Sequence, residues 1–153
     1  MKTQTVGEAR NEFLQRHRLG TDTYSNPKFA VKLWGHTFWT PNPGLLPLHD
    51  LHHVATGFPA TLIGESQISA YELRCGCGNP LIFILCVGAI LIGLSRQPKL
   101  IIAAWKNARG GRSLYKMGLN YESLMAMNVE ELRQVMNIPV GGLAGRSIKG
   151  ELL

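Results

Sequence analysis

Apolar residues recur at helical spacing along most of the chain, and glycine or proline follows each run, which predicts a series of helices joined by turns. The first pattern places Val6, Ala9, Phe13 and Leu14 on one helical face and closes at Gly20. Two glutamates within this helix argue against a mitochondrial presequence, because such leaders are poor in acidic residues.

The segment ahead of Gly57 has the clearest division into two faces. His49 and His53 stand about 40° apart on a helix and share one side of it. The opposite side is apolar and is formed by Leu48, Leu51, Val54, Ala55 and Phe58. Gly57 and Pro59 predict the end of this helix, because glycine favours a C-cap and proline cannot continue the backbone hydrogen bonds.

A second helix is predicted from about Thr61 to Arg74. If the two helices fold back as a hairpin, Glu65 comes level with His53, since both lie roughly 6–8 Å from the turn. Asp50 flanks the same face. Two histidines at i, i+4 with nearby carboxylates suit a divalent ion, with Zn²⁺ preferred and Mg²⁺ as the alternative. A solvated polar face is the competing interpretation, and Glu65 favours the metal site.

Two further polar residues are near this predicted site. Glu72 shares a helical face with Glu65, and we expect it at the surface rather than as an acid supporting the site. His52 is about 60° from His49 on the helix and could relay protons, although a solvent-facing side chain is the preferred expectation.

The longest apolar run extends over residues 81–94 and contains no charge. It is shorter than the roughly 20 residues that a membrane-spanning helix needs. We therefore expect a buried core helix, with a lipid-contacting element as the alternative. Pro98 begins the next predicted helix, where Lys99, Lys106 and Arg109 share one side. A solvated basic face and a face for anionic headgroups or a substrate phosphate remain equally open.

The other segments carry weaker signals. Residues 21–47 read as irregular, with one helical turn at 28–34, and the aromatic residues of the Trp34–Gly44 segment form either core packing or an apolar wall for a ligand. Asn128 and Glu131 predict a capping box at the start of a late helix. We expect one domain over 1–139, followed by a mobile Gly-rich tail over 140–153.

Composition and charge limit the classes of partner that the sequence predicts. The chain has 153 residues, enough for one sizeable core, and a formal charge of +6. Positive charge favours anionic partners, but no aromatic and basic interleaving typical of RNA binding occurs, so nucleic acid is not expected. The odd cysteine count predicts free thiols in a reducing compartment. Cys75 and Cys77 are too closely spaced for a zinc knuckle.

The central residues also resemble a known family. His49-Asp50-x-x-His53, followed by eleven residues and Glu65, is similar to the signature of the ubiquinone (coenzyme Q) biosynthesis protein 4 family. The similarity continues through the residues between the motif positions and to about residue 139. Supporting segments are Ala104-Trp105-Lys106, Tyr121-Glu122-Ser123-Leu124, Val129-Glu130-Glu131-Leu132-Arg133 and Ile138-Pro139.

The resemblance implies an all-α helical bundle that holds a divalent metal, proposed to be Zn²⁺, at His49, Asp50, His53 and Glu65. It also implies a prenylated aromatic or isoprenoid lipid as ligand, peripheral attachment to a membrane surface, and assembly with itself or with other quinone-pathway proteins. We expect a cytoplasmic protein, at most peripheral on the inner face of the membrane. The chain is shorter than typical members, and its Trp34–Gly44 segment departs from their pattern.

Two functions follow from these expectations. One is a metal-dependent enzyme in which His49, Asp50, His53 and Glu65 act in replacing a ring carboxylate, a decarboxylation coupled to hydroxylation. The other is a scaffold that binds a prenyl lipid and organises quinone-biosynthesis enzymes. A His-Asp phosphohydrolase is disfavoured because no aspartate follows Asp50. A zinc peptidase is disfavoured because the glutamate expected between its two histidines is absent.

Overall fold

The computed structural model describes residues 4–19, 31–33, 36–39 and 45–146, and over these ranges the chain is mainly α-helical. The described residues contain α1 (Val6–Arg16), α2 (Leu45–Thr56), α3 (Leu62–Cys75), α4 (Pro80–Arg96), α5 (Pro98–Asn107), α6 (Tyr121–Ala126) and α7 (Val129–Val135). Short 3₁₀ turns occupy Leu114–Lys116 and Ala144–Arg146. The predicted all-α class is confirmed.

Side-chain caps begin the helices where the sequence offers them. Thr61 caps α3, and Asn79 caps α4 just ahead of Pro80 at its first position. Asn128 and Glu131 form the predicted capping box of α7, since each side chain accepts a hydrogen bond from the backbone of the other. Local polar residues therefore determine where these helices start.

A short antiparallel ribbon interrupts the helical pattern before α2. Its strands are β1 (Val31–Leu33) and β2 (His36–Trp39), with one irregularity in register beside Val31. The helical turn predicted over 28–34 is wrong at 31–33, because the backbone there is extended and pairs with β2. Whether the aromatic side chains of Trp34–Gly44 pack in a core or line a ligand site lies outside the described residues.

Helices α2 and α3 are central to the packing. α3 contacts α4 and α5 most extensively, whereas α2 contacts α1 and α7. The core cluster draws on both helices and on α5, α6 and α7, and includes Leu51, Ala55, Ile68, Tyr71, Ile101, Ala104, Leu124 and Leu132. Burial of Leu51, Ala55 and Phe58 confirms the apolar face predicted for α2.

The apolar helix α4 does not lie in the core. Only one side of it faces α3, where Gly93 lies so close to Ser66 that an added Cβ would meet the Ser66 Cβ at 2.5 Å. Large side chains on the other side are exposed: Phe83, Ile84, Leu85, Leu91 and Ile92. The expectation of a buried core helix is therefore wrong for most of this helix. None of the helices in the described ranges has the length and apolarity needed to cross a membrane.

The first part of the predicted mobile tail packs against α2. Leu143 is 1% exposed, and its backbone N–H donates a hydrogen bond to the Thr56 carbonyl at 2.7 Å. Gly142 lies against the same carbonyl, where an added Cβ would come within 2.6 Å of the oxygen. Residues 142–144 therefore lie against the C-terminal end of α2.

Candidate metal centre

His49 and His53 lie side by side on α2, one turn apart. Their Nε2 atoms are 3.2 Å apart, and the planes of the two rings are nearly perpendicular. The Nδ1 atom of His53 donates to the Phe58 carbonyl at 2.8 Å, and that of His49 donates to Glu72 at 2.8 Å. Because both Nδ1 atoms are engaged, the two Nε2 atoms remain available to one shared ligand.

Glu65 completes a group of three donors around the same point. Its two carboxylate oxygens lie 3.2 Å from His49 Nε2 and 3.3 Å from His53 Nε2. Glu65 lies in the first turn of α3, which Thr61 caps. Its neighbour Gly64 lies against the Pro59 carbonyl, and an added Cβ there would come within 1.8 Å of that oxygen. The tight turn between α2 and α3 thus brings Glu65 to the histidines.

The three donors fit a metal ion. In a tetrahedral site with metal–ligand bonds of about 2.0–2.1 Å, neighbouring donors are about 3.3–3.4 Å apart. The two Nε2 atoms are 3.2 Å apart, and they lie 3.2 Å and 3.3 Å from the two different carboxylate oxygens of Glu65. All three ligand atoms lie within 4.8 Å of one another. Two imidazoles and one carboxylate leave a coordination position for water or substrate.

Asp50 is not beside the other three donors. Its Oδ2 atom accepts a hydrogen bond from Arg10 Nε at 3.0 Å, and Arg10 Nη2 lies 2.9 Å from the same oxygen as an ion pair. One residue along a helix turns the side chain by about 100°, so Asp50 faces α1 while His49 faces α3. The structure therefore does not bear out the expectation of Asp50 as a fourth ligand, and it places this residue in a buried ion pair between α1 and α2.

Glu72 is buried, so the expectation that it lies at the surface is wrong. The residue is 1% exposed. Its Oε1 atom accepts hydrogen bonds from His49 Nδ1, from His52 Nδ1 at 2.6 Å and from the Tyr115 hydroxyl at 3.0 Å. The Cys86 thiol donates to Oε2 at 3.7 Å. Glu72 thus orients His49 from the side opposite Glu65, as carboxylates commonly do for metal-bound histidines.

His52 is also buried, contrary to the expectation of a solvent-facing side chain. The backbone N–H of Leu114 donates to its Nε2 atom at 3.0 Å, so Nε2 is an acceptor and the ring proton lies on Nδ1. That proton is donated to Glu72. Burial lowers the pKa of His52 despite the neighbouring carboxylate, and the neutral tautomer follows from both observations. The sequence signal available for this role was the shared helical face of His49 and His52.

Charge is distributed unevenly across the site. Burial would lower the pKa of His49, but Glu72 and Glu65 on its two sides outweigh burial and raise that pKa well above the ordinary value. Burial would raise the pKa of Glu72, but His49 and His52 hold it well below the usual range. Hydrogen bonds from His49 and His53 likewise outweigh burial at Glu65 and lower its pKa to about 2. Without a metal, His49 is therefore a cation between two carboxylates.

A cavity of about 300 Å³ opens beside this site, between α2, α3 and α4. Its polar wall includes His49, Glu65, Ser69, Glu72 and Tyr115. Its apolar wall is formed by Leu45, Leu46, Ile82, Leu85 and Ala89. The volume is at the lower end of the range found for small-molecule sites, and apolar walls with a few convergent polar groups are typical of them.

The fold and the site define a helical protein with a candidate divalent-metal centre of two histidines and one glutamate. The family described as Coenzyme Q (ubiquinone) biosynthesis protein Coq4 matches residues 1–140, and the chain belongs to this family. It is 26% identical over 137 residues to the protein named Ubiquinone biosynthesis protein COQ4 homolog, mitochondrial, of Danio rerio.

The alignment with the Danio rerio protein covers a larger share of this chain than of that relative. The similarity to the zebrafish protein covers 88% of this chain but 49% of the relative, so the chain spans about half the length of the curated relative it matches. No solved structure matches the chain.

Proposed function

We propose that this protein acts in ubiquinone-type biosynthesis as a metal-dependent protein whose ligand is a prenylated aromatic carboxylate. The observation that carries the proposal is the group of three donors formed by His49, His53 and Glu65. Two imidazole nitrogens and one carboxylate favour Zn²⁺, because Mg²⁺ prefers an all-oxygen shell. Family membership supplies the biosynthetic context.

The reaction we propose is loss of the ring carboxylate, coupled to hydroxylation of the same ring carbon. A divalent ion held by His49, His53 and Glu65 would supply Lewis acidity, which would stabilise negative charge on a carboxylate or phenolate oxygen. Glu72 holds the His49 ring in place from Nδ1, and the Phe58 carbonyl does the same for His53. The hydroxylation needs O₂ and a two-electron donor from outside the chain. One oxygen atom would enter the ring as the hydroxyl group, the other would leave as water, and the carboxyl group would leave as CO₂.

The cavity suggests how such a ligand is placed. His49 and Glu65 are at its polar wall, where a ring carboxylate would meet the metal centre. Leu45, Ile82 and Leu85 offer an apolar surface to the ring and the first part of a prenyl chain. Leu85 is 40% exposed, so the apolar wall continues to the protein surface.

The experiment that tests this proposal combines metal analysis with an assay for carbon dioxide. Purified protein is analysed for zinc and then incubated, with oxygen and a reductant, with a short-chain prenylated hydroxybenzoate that carries ¹³C in its carboxyl group. We expect one zinc per chain and release of labelled CO₂, both lost in Glu65→Gln. Glu122→Gln removes an exposed carboxylate on α6 and is the matched control, expected to retain both signals.

A scaffold that binds a prenyl lipid without converting it is the second candidate. The exposed apolar side of α4 favours it, because a soluble enzyme has no need of that surface. The same assay separates the two functions. Zinc and ligand binding without labelled CO₂, in the presence of oxygen and a reductant, would support the scaffold, whereas absence of zinc binding would refute the metal centre itself.

A further inference from the structure

The short 3₁₀ turn at Leu114–Lys116 lies against α2 beside Glu72. Two consecutive residues of this turn contact the polar side chains there. The backbone N–H of Leu114 donates to His52 Nε2 at 3.0 Å, and the Tyr115 hydroxyl donates to Glu72 Oε1 at 3.0 Å. The ring of Tyr115 also packs edge-on against that of His52, with 4.8 Å between the two centroids. The turn therefore contacts both partners of the hydrogen bond from His52 to Glu72.

His52 is held at both of its ring nitrogens. Its Nε2 atom accepts the Leu114 N–H, and its Nδ1 atom donates to Glu72 Oε1 at 2.6 Å. That contact is shorter than the 2.8 Å contact from His49 to the same oxygen. The residue is 0% exposed, so water does not replace either partner. His52 therefore presents one N–H group to Glu72 in a fixed direction.

The carboxylate of Glu72 gains its orientation from these donors. The terminal torsion of a glutamate side chain is broad, so rotation by itself favours neither oxygen toward His49. Three N–H and O–H groups converge on Oε1, from His49, His52 and Tyr115. Oε2 receives the thiol of Cys86, which is a weak donor, at 3.7 Å. His52 and Tyr115 thus favour the rotation in which Oε1 accepts the His49 Nδ1 proton.

We propose that His52 and Tyr115 are positioning residues of the candidate metal centre, and that they act through Glu72 on the ring of His49. A fixed Glu72 keeps the His49 Nε2 atom directed toward the other two donors. A ring that is already held loses little freedom when a metal binds, so the affinity for the metal is higher. The effect on metal affinity rests on the proposed function, whereas the orientation of His49 does not.

Two substitutions at His52 separate its donor from the rest of the ring. An asparagine amide reaches the position of Nδ1 and can still donate to Glu72. A glutamine amide reaches the position of Nε2, where it can accept the Leu114 N–H but offers no donor in place of Nδ1. We expect zinc affinity to fall about tenfold in His52→Gln, at the lower end of the range for groups that orient a metal-bound histidine. His52→Asn should stay within about threefold of wild type.

Nitrogen-edited NMR of the metal-free protein supplies a readout that does not depend on zinc. It detects the Nδ1 proton of His49, which exchanges with water unless a fixed acceptor holds it. The signal should be present in wild type and in His52→Asn, and exchange should remove it in His52→Gln. Tyr115→Phe removes the second donor to Glu72 and should weaken both the signal and zinc binding.

Tyr71→Phe is the matched control for Tyr115→Phe. The Tyr71 hydroxyl is also removed from a buried tyrosine, but it donates to the Arg112 carbonyl at 2.7 Å instead of to Glu72. This variant should lose thermal stability, because a buried carbonyl loses its donor. The His49 signal and the zinc affinity should stay at the wild-type level, which separates a general loss of stability from a loss of positioning.

Each result decides one part of the proposal. Loss of the His49 signal in both His52 variants, with native helical content, would show that the ring is needed for packing and would overturn the role of its donor. The proposal would also be overturned if His52→Gln and Tyr115→Phe keep the signal and bind zinc as tightly as wild type or more tightly. Absence of zinc binding in wild type would count against the proposed function, while the expected NMR pattern would still support the positioning of His49.

Discussion

At the scale of single residues, the two carboxylates of α3 contact opposite sides of the same imidazole. Glu65 lies near the Nε2 atoms of both histidines, and its side chain is 42% exposed. Glu72 receives the Nδ1 proton of His49, and its side chain is 2% exposed. Exposure determines what each can contribute to stability, because removal of a buried acceptor leaves its donors unsatisfied, whereas water replaces an exposed acceptor.

Glu72→Gln should therefore reduce both stability and metal affinity. Four donors surround the Glu72 carboxylate, from His49, His52, Tyr115 and Cys86. A glutamine amide has one acceptor oxygen and brings an NH₂ group that is itself a donor, so some of these buried donors would lose their acceptor. We expect a loss of about 1–3 kcal/mol in the free energy of unfolding. Zinc affinity should fall about 10–100-fold, as for other residues that orient a metal-bound histidine.

Urea unfolding and zinc titration measure these two effects. Glu65→Gln is the paired variant, and it should lose zinc binding while changing the free energy of unfolding by no more than about 0.5 kcal/mol. If Glu72→Gln leaves stability unchanged and Glu65→Gln lowers it, the assignment of a structural role to one and a ligand role to the other is wrong.

Protons compete with metal at His49. Its folded-state pKa is raised above 6.5, so the stability that its charge contributes is complete below pH 6.5 and is lost as pH rises through the raised value. The pH dependence from Glu72 has the opposite sign, because its pKa is lowered. The stability that its charged carboxylate contributes is lost only as pH falls below the ordinary carboxyl range. The metal-free protein should therefore be most stable between these two transitions.

Zinc binding should release a proton from His49 at neutral pH, because a metal ligand must be deprotonated. Calorimetry in buffers of different ionisation enthalpy counts the released protons. We expect about one proton per zinc near pH 7 and fewer as the pH approaches the raised pKa of His49. No dependence of the binding enthalpy on the buffer would contradict a protonated His49 between Glu65 and Glu72.

At the scale of elements, the turn between α2 and α3 determines where Glu65 lies. The Pro59 carbonyl packs closely against Gly64, and a Cβ added at Gly64 would come within 1.8 Å of its oxygen. Gly64→Ala should therefore open the turn, destabilise the fold by about 1–3 kcal/mol and weaken zinc binding, since Glu65 is the next residue. Thermal unfolding and zinc titration measure both effects.

Gly88→Ala on α4 is the matched control, because no atom lies within 4 Å of a Cβ added there. Alanine in a helix interior stabilises by about 0.5–1 kcal/mol relative to glycine, so this variant should become more stable and keep its zinc. A destabilised Gly88→Ala variant would show that alanine itself, rather than the contact with Pro59, accounts for the effect at Gly64.

Local signals in the sequence were enough to predict some of these elements. Gly57 and Pro59 gave the end of α2, and the helical spacing of His49 and His53 put both on one face. The ribbon at 31–39 was not predicted, because its pairing joins residues that have no strong alternating pattern. Burial of Glu72 depends on Tyr115, 43 residues away, and so on tertiary packing that spacing within a helix does not reveal.

At the scale of the whole molecule, α4 exposes large apolar side chains, and α5 exposes both apolar and basic ones. Ile84 and Leu91 on α4 are 64% and 62% exposed. On α5, Lys99, Ile102 and Lys106 share one helical face, and all three are exposed. Exposed apolar side chains bordered by lysines are typical of surfaces that lie on anionic lipid headgroups. With a formal charge of +6, the chain would be attracted to such a surface from a distance.

Vesicles should bind the protein through α4, with the lysines of α5 adding the preference for anionic lipid. Flotation with phosphatidylserine-containing vesicles should recover wild type, and binding should weaken in pure phosphatidylcholine and at high salt. Ile84→Glu and Leu91→Glu each place a charge on the exposed side of α4 and should abolish flotation while leaving thermal stability nearly unchanged, because neither side chain is in the core.

Val140→Glu is the matched control, since Val140 is 78% exposed but lies outside α4 and α5. If the control loses flotation as fully as the α4 variants do, added negative charge alone explains the loss. If the α4 variants still float, another surface binds the membrane and α4 contacts protein instead.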